Sequence, residues 1–549
     1  MATTTGNELF GRALARQGAD TMFFIMGGPM NEALNAAMKQ GVRGIDVRHE
    51  QAAAMMAQAY ARVRSRPGIC LGASGPGTIN LTLGLANALI DCAPVVAFGG
   101  SSPLSASHSG AFQEIDQVAI MRPITKMADR VLDARRIPEF VDRAFRTAVS
   151  GKPGPVYLDL PGDVLYAKVE ESEVAWPQPI FETGVARPAV SAADIGRLVD
   201  ALGSAERPVL LAGSGVLWSD AADSLRRFVE LAGMPFFCTP QGRGAVPDDH
   251  EYSYPLAKSA AFKGADLVLV VGTRLNYVFS HVRPPRFDPD AVIARIDIDP
   301  QEVSSDARVR IGIAADAGTA LDQLAEALAA SPSKKDYAAW RRTLGEIQVK
   351  KAPGAEQALA NDQVPIHPLR LCKEIRDFID KDTVLCVDGQ EILNYGRQSI
   401  PSFLPRRRLN SGPFGTMGVG LPFGVGAKAA LPDKKVVVLH GDGSFGLNAM
   451  ELDTAVRHKL PLLVVISLNG GWTADPEKVK PGRNLGYTRF DRLAESLGCH
   501  AEYVERPGDI APALRRAAEQ VAAGRVALLN VVTDANARAG TQAFTSFST

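Results

Sequence analysis

The sequence has no surplus of charge: 60 lysines and arginines balance 60 aspartates and glutamates among 549 residues. That balance excludes the basic stripe of a nucleic-acid binder and a strong pull toward acidic surfaces, so neither is an expected partner. Cysteine is sparse. The six present (Cys70, Cys92, Cys238, Cys372, Cys386, Cys499) form no Cys-x-x-Cys pair, which excludes a zinc ribbon or a disulfide framework and leaves buried, reduced thiols. Long apolar runs are missing too: stretches such as Leu460 to Leu468 fall far short of the roughly 20 residues a bilayer span needs, so no membrane partner is expected. The opening Met-Ala-Thr-Thr-Thr-Gly-Asn-Glu has neither the basic region nor the apolar core of a secretory signal, and a cytoplasmic protein is the expectation. Low-complexity tracts and short repeats are absent.

The chain does have length and a hydrophobic content of 46%, enough for about three domains with large cores. Strand-like apolar runs alternate with helix-like stretches throughout. That pattern predicts an α/β protein of three doubly wound domains, each a parallel sheet with helices on both faces. Two proline-rich passages, Trp176-Pro-Gln-Pro to Arg187-Pro and Ala352-Pro to His367-Pro, divide the chain into domains at 1–175, 188–335 and 363–535, with a tail at 536–549. The middle domain opens on a strand followed by Gly213-Ser-Gly215, an incomplete dinucleotide fingerprint and a weak signal.

The most informative segment is Gly441-Asp442-Gly443-Ser444, which leaves the apolar run Lys435 to His440. Glycines on both sides of Asp442 let the backbone approach a diphosphate, and a helix starting near Ser444 points its positive end at the same anion. Asp442 is then free to hold a cation. Asn469, 27 positions on, ends the next strand-like run and precedes Gly470-Gly471-Trp472. A strand, helix and strand between them return the chain to one sheet edge, where Asp442, Asn469 and the Gly471 carbonyl suit a Mg2+ ion that takes about six oxygens.

This pattern resembles the signature of thiamine diphosphate enzymes, in which Gly-Asp-Gly is followed by Asn-Asn; Leu468 replaces the first Asn, and the second, Asn469, is the family's magnesium ligand. Three more segments carry the resemblance. In Arg48-His49-Glu50-Gln51, Glu50 opens a helix, where a glutamate is favoured by the helix dipole alone. The resemblance makes it the carboxylate that hydrogen-bonds the pyrimidine nitrogen N1′ and favours the imino tautomer, which draws the proton from the thiazolium carbon. Ala73-Ser74-Gly75-Pro-Gly-Thr-Ile-Asn80 corresponds to the turn lining the pyrimidine pocket. Ser411-Gly-Pro-Phe-Gly415-Thr-Met417-Gly places Met417 where relatives wedge a bulky residue between the two rings. The first domain is therefore expected to bind the pyrimidine and the last the diphosphate, contributed by different subunits. The resemblance thus implies at least a homodimer, and commonly a homotetramer.

Within this family, Gly110 to Gln117, Gly272 to Tyr277, Arg283 to Asp290 and Leu404 to Gly412 look similar to 2-hydroxyacyl-CoA lyases. Phe112-Gln113 stands where oxalyl-CoA decarboxylases usually have Tyr-Glu, and a neutral amide at Gln113 suits a substrate hydroxyl or an ordered water. The resemblance implies an acyl-CoA substrate whose ADP moiety lies in the central domain, with Arg274 as the best single contact and Asp297, or Asp299, for the ribose. Arg406, Arg407 and Arg408 either bind CoA phosphates or form a solvated basic loop. Trp472 either narrows the pocket or plugs the core. The tail corresponds to a segment that CoA-using relatives fold over the substrate as a lid. The implied activity is carbon-carbon cleavage of a 2-hydroxyacyl-CoA, such as 2-hydroxyisobutyryl-CoA, to formyl-CoA and a ketone or aldehyde, or the reverse condensation. Acetolactate synthase and oxalyl-CoA decarboxylase are the alternatives.

Overall fold

The computed structural model describes residues 2–332 and 334–539. Its strands form three separate parallel sheets and one short antiparallel pair, Thr3–Thr5 with Lys168–Glu170. The first has the spatial order Arg43–Asp46, Thr21–Phe24, Gly68–Gly72, Val95–Ser101, Val156–Pro161, Ala128–Arg130. The second runs Phe236–Cys238, Pro208–Ala212, Leu267–Val271, Val292–Asp297, Val309–Ala314. The third runs Arg408–Leu409, Val384–Asp388, Val436–Gly441, Leu463–Leu468, Ala527–Val532, His500–Val504. Helices cover both faces, which is why the central strands read as unbroken apolar runs rather than alternating ones.

The first and third sheets share one connection pattern: in each, the first strand has the second on one side and the third on the other. The central sheet does the same. Such a reversal leaves a crevice at the carboxyl ends of the first and third strands, where open parallel sheets bind ligands. In the third sheet those ends are Asp388-Gly389 and Gly441-Asp442; in the second they are Gly213 and Gly272; in the first they lead to Gly27-Gly28 and Ser74-Gly75. Three of the glycine-bearing turns noted in the sequence, at Gly75, Gly213 and Gly441, therefore sit at crevices that the chain order creates.

The central domain has a core of its own, whereas the first and third share a continuous one containing Met55, Met56, Phe423 and Val425. Helix Glu50–Arg64 packs on helix Gly420–Ala430 so tightly that a Cβ at Gly426 would stand 2.3 Å from the Met56 carbonyl oxygen. A polar knot joins all three domains beside this contact. Arg62 donates to the carbonyls of Asn410 and Arg408 and to Gln241, and Gln241 and Gln58 both donate to Asp91.

One boundary differs from the sequence reading. The passage beginning at Ala352-Pro353 is not a linker but the last part of helix Ala338–Leu359, with Pro353 inside it. A proline there removes a single hydrogen bond, to the carbonyl of exposed Val349, which water replaces.

A second link between the first and third domains is electrostatic. The buried carboxylate of Glu451 accepts from the backbone amides of Arg48 and His49 at 3.1 and 3.2 Å and from the Thr454 hydroxyl at 2.6 Å. Burial pushes its carboxyl up to about 7, against the opposing pull of those bonds and of Arg457. The native state therefore holds this proton where the unfolded chain has released it, and the group's contribution to stability falls as pH rises from 4.5 to about 7. Glu451→Gln removes the titration, so the melting temperature of the variant relative to the parent is expected to rise between about pH 5 and about pH 8. Paired thermal melts across that range check the sign.

Candidate active site

The expected diphosphate site lies at the crevice of the third sheet. It is lined by Gly389, Gln390, Glu391, Met417, Gly441, Asp442, Gly443, Ser444, Ser467, Asn469, Gly471 and Trp472. Strand Val436–Gly441 delivers Gly441 directly into a short helix at Asp442–Gly446, two residues earlier than the sequence reading placed its start. Ser444 returns its hydroxyl to the Gly441 carbonyl at 3.0 Å. The Trp472 ring covers Gly443, where a Cβ would lie 2.6 Å from it, so only glycine leaves room for both ring and backbone. Trp472 thus packs on the metal-site turn while remaining partly exposed.

The donors fit a cation and a diphosphate. Asp442 is buried, its Oδ2 has no hydrogen-bond partner, and burial pushes its carboxyl up to about 6. A buried carboxylate oxygen without a partner is costly, and a cation removes the cost. Asn469 currently turns its Oδ1 to the Gly471 amide at 3.2 Å, an oxygen that would be shared with or given to a metal. Among the described residues no group of three or more His, Cys, Asp or Glu side chains converges. A cation here relies on one carboxylate, an amide oxygen and the Gly471 carbonyl, completed by phosphate oxygens.

Three residues that the sequence reading missed hold this geometry. Arg483 donates to the carbonyls of Asn469, Gly470 and Thr473 at 3.1, 2.9 and 2.6 Å, clamping the metal-site turn. Glu391 accepts from the Thr473 hydroxyl at 3.0 Å and from the Ala539 amide at 2.8 Å. Asp388 accepts from the amides of Gly389 and Gly420 at 2.7 and 2.9 Å and so anchors the end of the Met417 turn. Apart from the Asp388 bond to its neighbour Gly389, these bonds span separations from 10 to 148 residues, so no fixed spacing announces them.

In the first domain, Glu50 is the opening residue of helix Glu50–Arg64, buried, and its Oε2 accepts from Asn80 Nδ2 at 3.0 Å. Ser74 is buried with an unpartnered hydroxyl. Gly75 has a φ of 59°, and its amide donates to Gln117 at 3.1 Å, another residue the sequence reading passed over. The backbone of Gln113 lies against Gly75, where a Cβ would come within 2.4 Å of the Gln113 carbonyl oxygen. Phe112 beside it is 86% exposed on the single chain. The residues lining the diphosphate pocket all come from positions 368–537, and Glu50, Ser74, Gly75 and Asn80 are not among them. The chain therefore carries the two halves of the site in separate places.

A second, far larger cavity of about 1190 Å3 opens at the junction of the three domains. Arg274, Asp297 and Arg406 line it, as do Gly415 and Met417. Gly389, Gln390 and Met417 also line the diphosphate pocket, so the two adjoin. Gly213 and Gly215 are glycines because the Gly272 turn presses on them: a Cβ at Gly213 would lie 2.3 Å from the Gly272 carbonyl oxygen. Arg274 donates to the Ile90 carbonyl. Asp297 is buried and accepts from the Asp299 amide at 3.1 Å, whereas Asp299 itself caps the helix at Pro300 and pairs with Lys152. The structure does not bring Arg407 or Arg408 to this cavity. Arg407 pairs with Asp382, and Arg408 is buried, donating to the Gly396 carbonyl at 2.8 Å. Arg408 opens the strand Arg408–Leu409 at the edge of the third sheet and turns inward, and Arg407 just before it turns away. Of the expected lid, residues 540–549 lie outside the described residues.

Residues 4–120, 195–324 and 394–531 match, in turn, the N-terminal TPP binding domain, the central domain and the C-terminal TPP binding domain of the thiamine pyrophosphate enzymes. The chain belongs to the thiamine pyrophosphate enzyme family. Thiamine pyrophosphate and thiamine diphosphate are one compound, and the match to the C-terminal TPP binding domain contains Gly441 to Ser444 and Asn469 to Trp472. A 2-hydroxyacyl-CoA lyase of Arabidopsis thaliana is 34% identical over 96% of the chain and 95% of its own length. The acetolactate synthase large subunit IlvG of Mycobacterium tuberculosis is 31% identical over 97% and 96%. The oxalyl-CoA decarboxylase of Escherichia coli is 31% identical over 90% and 89%.

Replacing Arg483 with alanine removes a donor from the carbonyls of Asn469, Gly470 and Thr473, of which Gly470 keeps the Leu485 amide at 2.9 Å. The expected outcome is a loss of thiamine diphosphate affinity of about tenfold or more, since a hydrogen bond to a charged group contributes about 1.5–3 kcal/mol. Titration of the cofactor by calorimetry, with the melting temperature of the apo-variant as a control for folding, checks it.

Proposed function

We propose that this thiamine diphosphate enzyme cleaves 2-hydroxyacyl-CoA thioesters to formyl-CoA and a ketone or aldehyde, with 2-hydroxyisobutyryl-CoA as a fitting substrate, and that the reaction runs in either direction. The observation that carries this reading is the large cavity that shares Gly389, Gln390 and Met417 with the diphosphate pocket, together with the cations along it. Arg286, Arg397 and Arg406 line it and each has a buried Nε without a partner. Lys258 rests on the rings of Phe262 and Phe279, and burial pulls its ammonium down to about 8, helped by Arg286 and Arg243. Arg406 pairs with Asp220 at 2.8 Å, but among the described residues Arg286, Arg397 and Lys258 form no ion pair with a carboxylate, and such cations suit the phosphates of CoA. An ADP moiety would lie by Arg274 and Asp297, leaving the pantetheine arm to reach past Gln390 to Met417. A substrate as small as pyruvate leaves this length unused.

Bound thiamine diphosphate supplies the carbon nucleophile and the electron sink for the bond being broken. Glu50 holds the proton at the pyrimidine nitrogen N1′. Asp442, Asn469 and the Gly471 carbonyl hold Mg2+, and the amides around Gly443 and Ser444 receive the diphosphate. Gln113 orients the 2-hydroxyl or a water beside the pyrimidine, with Phe112 and Trp472 shaping the acyl pocket. The C1–C2 bond of the acyl group breaks, the hydroxyl proton leaves to form the carbonyl product, and a proton returns to the formyl carbon. Because one chain keeps Glu50 and Asp442 in separate places, we place the working site between two subunits, in a homodimer at minimum and by family likeness a homotetramer. Exposed Phe112, Leu447 and Met450 support such a contact. Six free thiols support a reducing compartment, which we take to be the cytoplasm. Among the described residues no helix is long and apolar enough to cross a membrane.

The test is incubation of the protein, thiamine diphosphate and Mg2+ with 2-hydroxyisobutyryl-CoA, followed by mass spectrometry. Formyl-CoA and acetone are expected, with Glu50→Ala abolishing both and Arg274→Ala raising KM about tenfold at unchanged kcat. Acetolactate from pyruvate with bound flavin, or carbon dioxide from oxalyl-CoA, in place of formyl-CoA would replace this reading with one of the other two activities.

A further inference from the structure

Glu50 has to meet a ring nitrogen at hydrogen-bond distance, yet it sits at the first position of a helix, where a backbone lacks the bonds that stiffen its interior. The N-cap is His49, whose imidazole accepts from the Gln51 amide at 3.1 Å. That satisfies the helix side of Glu50 but leaves the approach through Arg48 and His49 to be fixed by something else. The fixing group comes from 403 residues away: Glu451, only 1% exposed, accepts from both amides. Its Oε2 also takes the Thr454 hydroxyl, which holds the carboxyl in one orientation.

Glu451 opens helix Glu451–Arg457, a few residues beyond the Asp442–Gly446 helix of the diphosphate site. The turn between the two also carries Asn448, which donates to the Gly418 carbonyl at 2.8 Å, next to Met417, and lies 3.8 Å from the Met55 sulfur on the Glu50 helix. At the far end of the same helix Arg457 and His458 pair with Asp46, just before Arg48. One stretch, 448–458, thus grips both the approach to Glu50 and the turn that carries Met417. We propose that Glu451 is a positioning residue for Glu50, its carboxyl fixing the Arg48–His49 backbone from which the glutamate projects toward the pyrimidine. The inference rests on the reading that Glu50 acts on the cofactor's N1′.

The experiment compares the parent with Glu451→Ala and Glu451→Gln, reading the imino-tautomer band of bound thiamine diphosphate by circular dichroism without substrate, then kcat and KM. Glutamine keeps an oxygen for the two amides, so E451Q is expected to retain the band and to stay within about threefold of the parent kcat. E451A is expected to lose the band and at least about tenfold in kcat, with KM and cofactor affinity within about twofold, since small misplacements of a catalytic group cost rate rather than binding. If E451A does not fold, Glu451→Asp, one methylene too short to span both amides, is read in the same way. An E451A or E451D enzyme with parental band and kcat overturns the inference. So does a loss of kcat that only follows loss of cofactor affinity, or an E451Q enzyme as impaired as E451A. If the parent itself shows no band, the Glu50 reading fails first and this inference falls with it; a parental band that survives in E451A sinks the inference alone.

Discussion

The close approach of helices Glu50–Arg64 and Gly420–Ala430 is the constraint on which the other features hang. Gly426 lets the Met56 backbone come to van der Waals distance, and the contact merges the cores of the first and third domains. Once these two helices are locked, the start of the first is also set against helix Glu451–Arg457. The placements of Glu50 and of Met417 thereby become functions of one interface rather than of two independent loops. A wider residue at Gly426 would push the domains apart by more than the tolerance of a hydrogen bond, and the shared core would lose its density.

Around that interface the chemistry is organised by polar atoms that the fold leaves unsatisfied. The Asp442 Oδ2, the Ser74 hydroxyl and the arginine Nε atoms of the large cavity are buried without partners, whereas most buried polar groups in this chain find one. Three of these places coincide with the crevices where the strand order of each sheet reverses. The fold creates the crevice, and the unsatisfied donors and acceptors decide what enters it. Oxygen acceptors and glycine turns collect at the third sheet, cations at the junction with the second. The contrast separates a pocket suited to a metal and a diphosphate from one suited to an anionic, nucleotide-sized group.

Much of this was legible in the residue order because glycines report backbone approach. Gly443 and Gly75 each sit where a side chain would collide with a neighbour, and at Gly75 φ is also positive; those demands act locally, whereas Gly441 has a negative φ and room for a Cβ. Gly213 and Gly215, a weak signal in the sequence, also yield to the Gly272 turn, and a sequence cannot distinguish a glycine cleared for a ligand from one cleared for another loop. The three consecutive arginines show a similar limit. Arg406, Arg407 and Arg408 are equivalent on paper, but a strand edge sends them to a cavity wall, a surface ion pair and a buried carbonyl cage. Pro353, read as a break, lies within a helix whose exposed side tolerates the missing bond.

By itself the sequence determined the α/β class, through continuous apolar strands separated by helix-length segments, and the identity of the Asp442 and Glu50 turns, through short-range demands of turn and cap. Tertiary structure alone decided which distant groups support them. Arg483 on the metal-site carbonyls, Gln117 on Gly75 and Glu451 on the Arg48–His49 amides are contacts between side chains and backbone far apart in the chain. Backbone amides and carbonyls are the same at every position, so a side chain that binds them leaves no partner residue to read in the sequence. Only the folded geometry shows which amide or carbonyl it meets.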